Sequence, residues 1–358
     1  MEACERERKN IILVAATPGG GPRAVVLGCA GEELSADERR FFAEANPAGF
    51  ILFRRNCRSP DQVRGLVEML RGSVGRPDIP VLIDQEGGRV ARLRPPHWRL
   101  YPSAAAIASL PDPIAQHAAR LGARLIADDL ARLGITVACL PVLDLPAAGA
   151  DPVIGDRAYG TDPERVACLA AAVCEGLIEG GVLPVVKHIP GHGRARVDSH
   201  YTCPLVETGH DELSRTDFAP FRALAATPWA MPWAMTAHIV YRAIDPAAPA
   251  TLSQRVIAEI IRGEIGFDGV LVSDDLSMRA LGGGLGERAR RALDAGCDLA
   301  LHCNGDRAEM EEIVAATRMV SPEGAARLAR AASMRHAPAE FDRPEAEHRF
   351  DTLMAEAR

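Results

Sequence analysis

The sequence predicts a single (β/α)8 barrel on three observations. Short, nearly continuous apolar runs recur eight times along the 358 residues, amphipathic helical patterns separate them, and almost every run ends in a polar or charged residue. Strands are expected at Ala24–Leu27, Gly49–Phe53, Pro80–Asp84, Ile135–Cys139, Leu183–Val186, Met235–Ile239, Gly269–Ser273 and Asp298–His302. Their apolar continuity suits parallel strands covered on both faces. The first helix is expected at Ser35–Ala45, with Ser35 as its N-cap and Phe41 and Phe42 facing the core. The same logic places helices at Pro60–Arg71, Ile114–Leu133, Pro163–Glu179, Glu212–Ala226, Ser253–Ile265 and Gly286–Ala295. Gly134, Gly181 and Gly266 stand where helix stops are needed. A doubly wound open sheet is the alternative, but no GxGxxG follows the first strand. The barrel domain is expected over 23–320, with a loose arm at 1–22 and a C-terminal helix and tail at 321–358. A tandem echo, PWAMPWAM at 228–235, reads as a loop insertion before the sixth strand.

Composition narrows the class. An apolar fraction of 47% with 25% charged residues is ordinary for a soluble globular enzyme. The net charge of −7, without a basic block, argues against a nucleic-acid partner. No run has the length of a membrane span, and the charged start MEACERERKN lacks the apolar core of a signal peptide. The nine cysteines form no CxxC pair and read as buried, reduced thiols.

In barrels of this kind, functional groups gather at the C-terminal ends of strands and in the loops after them. Here those positions supply Arg54, Arg55 and Asn56; Asp84, Gln85, Glu86, Arg89 and Arg92; Asp144, Asp156 and Arg157; Lys187 and His188; His238; Asp274 and Asp275; and His302 and Asn304. For Asn56 and Asp275 a turn or cap role is an equal reading. The densest stretch is KHIPGHGRARVDSH, 187–200. His188 and His192 have a metal-like spacing, but Pro190 and Gly191 forbid the helix that would bring them to one face. The first strand also lacks the His-x-His of metal-dependent hydrolase barrels. Asp198 beside His200 suggests a carboxylate tuning an imidazole for proton transfer. Ser199 is a poor nucleophile candidate, because three consecutive side chains converge badly and no GxSxG is present. Asp274, ending the strand GVLVSD, is the better one, and a carboxylate nucleophile with a separate proton donor is what retaining glycoside hydrolysis needs.

The motifs KHIPGHGRARVDSH, IDQEGGRVARL (83–93), ILFRRN (51–56), GDRAYG (155–160) and GFDGVLVSDDLSM (266–278) resemble those of family 3 glycoside hydrolases, in the same order. The resemblance spans about 24–305 and is strongest to the bacterial single-domain β-N-acetylglucosaminidases of peptidoglycan recycling. It implies that Asp274 is the nucleophile of a covalent glycosyl-enzyme mechanism, with His200 as general acid/base on a mobile loop and Asp198 as its partner. It implies that Asp84, Arg92, Arg157, Lys187 and His188 hold the terminal N-acetylglucosamine, with Glu86 either joining them or pairing with Arg89. It further implies a cytoplasmic monomer acting on muropeptides, without metal or other cofactor and with no nucleic-acid or membrane partner. The insert Arg194–Val197 is unusually basic and suits an anionic aglycone or a solvated loop face. A phosphorylase, a non-catalytic sugar binder and a metal-dependent hydrolase remain as alternatives to be separated by experiment.

Overall fold

Eight parallel strands close on themselves in the computed structural model, which describes residues 21–227 and 231–356. They are β1 (Arg23–Gly28), β2 (Pro47–Leu52), β3 (Val81–Ile83), β4 (Val137–Ala138), β5 (Leu183–Ile189), β6 (Trp233–Thr236), β7 (Val270–Asp275) and β8 (Leu299–His302). Each pairs with its neighbours in the chain, and β8 returns to β1 through Val25↔Ala300 and Leu27↔His302. The expected strands all form. The sixth starts two residues earlier than expected, so the second half of the PWAMPWAM echo belongs partly to β6, with Trp233 buried in the barrel. Residues 228–230 of that echo, and most of the expected 1–22 arm, lie outside the described residues.

Register slips occur in β5 between Lys187 and Ile189 and in β7 between Val272 and Asp275. Such irregularities re-aim side chains and turn up beside functional sites. Both fall at the end of the barrel where the sequence places its chemistry.

The helices follow their local signals. Ser35 caps Ala36–Ala45 in a capping box with Glu38. Gly134, Gly181 and Gly266 take φ of 78°, 76° and 75° as the chain leaves its helices. The helix expected over 212–226 is broken into His210–Arg215 and Ala219–Ala225. Pro220 cannot continue a helix from the preceding turn, and Asp217 turns inward to meet Arg194 Nε at 2.6 Å. The helix at Val256–Glu264 is wound with i→i−5 bonds, as between Ile265 N–H and the Ile260 carbonyl at 2.8 Å.

After β8 the described residues hold helices at Arg307–Ala316, Pro322–Ser333 and Arg343–Ala355. The last replaces the expected tail. Asp342 caps it, Phe350 is buried against Gly122 of the Asp112–Ala131 helix, and Arg343 reaches Asp128 and Asp129 at 2.7 Å each. The local signal was present in the sequence as Asp-Arg-Pro, a cap followed by a proline in the first turn.

Candidate active site

At the mouth of the barrel, β3 ends in Asp84 and passes into a tight antiparallel ribbon, Gln85–Gly87 with Val90–Ala91. Gln85 is buried and staples this ribbon. Its side-chain oxygen accepts the backbone N–H groups of Arg92 (2.8 Å) and Leu93 (3.0 Å). That fixes Arg92 so that its guanidinium meets Asp84 Oδ2 at 2.7 Å and lies over the Phe53 ring. From β5, Lys187 Nζ reaches Asp84 Oδ1 at 2.8 Å and Glu86 Oε1 at 2.7 Å. Arg157 then grips Glu86 with two bonds of 2.8 Å. The result is one alternating chain: Arg92, Asp84, Lys187, Glu86, Arg157. Burial alone would raise the carboxyl pKa values, but the cations outweigh it and hold Asp84 and Glu86 below the usual range. Glu86 does not pair with Arg89; Arg89 goes to Asp156 at 2.8 Å instead.

His188 follows Lys187 and is held by a residue the sequence reading noted but gave no role. Asp144, fully buried after β4, places Oδ2 at 2.7 Å from His188 Nδ1. Its Oδ1 accepts the backbone N–H groups of His188 (3.2 Å) and His192 (2.6 Å). An ionised carboxylate there selects the His188 tautomer with hydrogen on Nδ1 and leaves Nε2 for the cavity. Burial opposes ionisation of Asp144, and His188 above all offsets it. The signal in the sequence was an Asp inside the apolar run PVLDLP, where only a buried, partnered carboxylate is tolerable.

Asp274 stands near the end of β7 on the cavity wall, with Oδ1 accepting the Asp275 N–H at 2.8 Å. Burial pushes its pKa up, but His188, His238 and that backbone bond bring it below the ordinary value. His238 is buried beneath, between Thr251 Oγ1 (2.7 Å) and the Asp275 carbonyl (3.1 Å), and burial lowers its pKa. Asp275 serves its turn by accepting from Ser277, and Asn56 bonds the Cys29 and Gly31 carbonyls, so both take the structural role.

The segment after β5 completes the rim. Asp198 Oδ1 lies 2.7 Å from His200 Nδ1 and accepts the His200 backbone N–H at 2.9 Å. Ser199 turns the other way, to His192 Nε2 at 3.0 Å. His188 and His192 have ring centroids 5.5 Å apart but look to different partners. Arg194 is not free for an anionic ligand: it meets Asp217 (2.6 Å), Glu212 (2.8 Å) and Thr216 (3.0 Å). Of the two arginines of the basic insert, Arg196 is the exposed one.

Asp84, Arg92, Arg157, Lys187, His188, His200 and Asp274 all line one cavity of about 280 Å³, with Glu86, Phe53, Met278 and Cys303 between them. Asp198 stands behind His200. The cavity therefore offers fixed donors and acceptors for several hydroxyls, an ionised carboxylate on a rigid strand, and an imidazole on a loop. That set can bind a sugar and both attack and protonate across a glycosidic bond.

Comparison with known proteins agrees. Residues 13–333 match the glycosyl hydrolase family 3 N-terminal domain. A beta-hexosaminidase of Pseudomonas aeruginosa is 40% identical over 309 residues, covering 86% of this chain and 90% of that one. One from Alkalilimnicola ehrlichii is 41% identical over 285 residues, 78% of this chain and 80% of its own. NagZ from Neisseria gonorrhoeae, in complex with N-trifluoroacetyl-D-glucosamine, has a similar structure, with a TM-score of 0.81 at 33% identity over 95% of this chain and 98% of that one. A family 3 beta-N-acetylglucosaminidase from Paenibacillus gives a TM-score of 0.82 at 33% identity, over 93% and 67%. With the family matched across most of its length and the barrel mouth built as described, the chain is a glycoside hydrolase and belongs to glycosyl hydrolase family 3.

Proposed function

We propose that the protein is a retaining exo-β-N-acetylglucosaminidase that removes terminal N-acetylglucosamine from muropeptides of the N-acetylglucosaminyl-1,6-anhydro-N-acetylmuramyl type, as a cytoplasmic monomer without a metal or other cofactor. The observation that carries this reading is the meeting of Asp274 and His200 on one cavity already lined by Asp84, Arg92, Arg157, Lys187 and His188. The catalytic unit assigned is 23–320. Among the described residues no helix is long and apolar enough to cross a membrane.

In this mechanism the donors of Arg92, Arg157 and Lys187 and the acceptors of Asp84 fix the terminal sugar. The Asp274 carboxylate attacks C1 while the Nε2–H of protonated His200 passes its proton to the glycosidic oxygen. The C1–O bond breaks and the aglycone leaves as an alcohol. His200 Nε2, now unprotonated, takes a proton from water, whose oxygen attacks C1 and releases Asp274 as carboxylate. The Nδ1 proton faces Asp198 throughout, which stabilises the imidazolium in the first step and orients the ring in the second.

The test is a 2-fluoro sugar with a good leaving group. A covalent adduct on Asp274, found by peptide mass mapping, is the expected result; an adduct elsewhere, or none with turnover intact, overturns the assignment. Free sugar rather than glycosyl phosphate should form in phosphate buffer. The peptide-bearing muropeptide should be cleaved with higher kcat/KM than a chitin disaccharide.

A further inference from the structure

His192 takes no part in the chemistry above, yet its surroundings are built. The imidazole is buried, and its own backbone N–H binds Asp144 Oδ1, the carboxylate that also orients His188. Its Nε2 lies 3.0 Å from Ser199 Oγ, one residue before His200. Nδ1 has no partner among the described residues. A bare lone pair is cheaper to bury than a bare N–H, so the fitting tautomer has Nε2–H donating to Ser199.

Between these two residues the chain is tightly routed. A Cβ on Gly193 would come within 1.9 Å of the Leu145 carbonyl oxygen, so only glycine lets it pass. Arg194 anchors the next turn to Asp217. Beyond it, the Ser199 and His200 carbonyls accept the N–H groups of Ala280 (3.2 Å) and Arg279 (3.3 Å). Those two residues follow Asp274 in a turn that Arg288 braces through the Leu276 (2.7 Å) and Met278 (3.2 Å) carbonyls. Ser199 is thus gripped by its side chain from His192, which Asp144 ties to His188, and by its backbone from the turn after Asp274.

We infer that His192 is a positioning residue whose hydrogen bond to Ser199 sets the place of His200 relative to the bound sugar. The inference rests on reading His200 as the general acid/base. Burial lowers the His192 pKa to about 4, so the contact keeps one protonation state through the neutral range. The His192 bond is the side-chain hold on the seat, added to the two backbone bonds from Arg279 and Ala280, and a single neutral hydrogen bond is weak enough to be made and broken in a catalytic cycle.

The experiment compares kcat/KM, which reports the glycosylation step alone, for two substrates: a 4-nitrophenyl β-N-acetylglucosaminide with a good leaving group and a methyl glycoside with a poor one. Ser199→Ala should lower kcat/KM for the methyl glycoside roughly tenfold, with a much smaller loss on the 4-nitrophenyl substrate. Ser199→Thr, which restores the hydroxyl, should recover most of it. His192→Gln, whose amide also donates, should fall less than His192→Phe. Equal losses on both substrates, or no rescue by threonine, would mean a structural contact only and would overturn the inference. His200→Ala in parallel separates the two levels. If it lacks a leaving-group-dependent loss, the acid/base reading fails and the positioning role with it. If it shows one and Ser199→Ala does not, only the positioning role fails. Ser199→Ala removes a single oxygen, so the test stands even if His192→Phe does not fold.

Discussion

Five charged side chains on one wall of the cavity pair with one another before any ligand arrives, whereas the imidazole opposite has one carboxylate. Lys187 is 3% exposed and Glu86 7%, but His200 is 57% exposed. The wall is mounted on strand ends, a stapled ribbon and, for Arg157, the short helical turn Gly155–Arg157; the imidazole is mounted on the loop after β5. A wall of prepaired dipoles needs little reorganisation when a sugar enters, which favours electrostatic selection. A lightly held proton donor can approach after the sugar is seated and withdraw when product leaves. Damage to the wall should therefore cost folding and binding together, and damage to the loop should cost catalysis alone.

The largest effect tests the shared reaction centre. Asp274→Asn should lower kcat on the 4-nitrophenyl substrate by roughly 10⁴-fold, in the range seen when a covalent nucleophile is removed. Retained wild-type turnover would remove Asp274 from the mechanism. Next, Lys187→Ala strips two buried carboxylates of their shared cation. Breaking such a network by removing one partner costs about 3–5 kcal/mol, so thermal unfolding should drop by several degrees or more and activity should vanish. His200→Ala is the counterpart on the loop. It should lower kcat/KM for a poor leaving group about 10²–10³-fold. Its unfolding midpoint should stay near wild type, since the side chain buries little. A matched fall in Tm for both variants would erase the distinction between wall and loop.

How far the sequence carried the reading follows the same division. The strands were legible because buried parallel strands are continuous apolar runs, and their ends announced Asp84, Lys187 and Asp274. The Asp198–His200 pair was legible as two residues of complementary chemistry two apart. What escaped was pairing across the mouth. Glu86 looks locally toward Arg89, but the ribbon turns it to Lys187 and to Arg157, the latter 71 residues distant in the chain. Asp144 escaped as a site residue because its value lies in backbone N–H groups from a different strand. Arg194 looked like a free cation because Asp217, its partner, sits in what read as an unbroken helix.

The smallest expected effect separates wall from loop by pH. The wall carboxylate Asp84 and the buried Asp144 behind His188 have pKa values held below the ordinary range, so their contribution to stability is complete above about pH 4 and is lost only as pH falls below it. His192 behaves differently. The unfolded chain takes up a proton there near pH 6.5, but the folded protein does so only near pH 4. Between those values the unfolded state binds more protons, and stability falls as pH falls. At pH 5.5 the deficit from this residue is about 1 kcal/mol. Denaturant unfolding of wild type and His192→Gln at pH 7.5 and 5.5 measures it: glutamine does not titrate, so its stability should decline less over this interval. Identical declines would mean that the imidazole reaches its proton in the folded state, and that the base of the His200 loop opens more readily than the wall beside it.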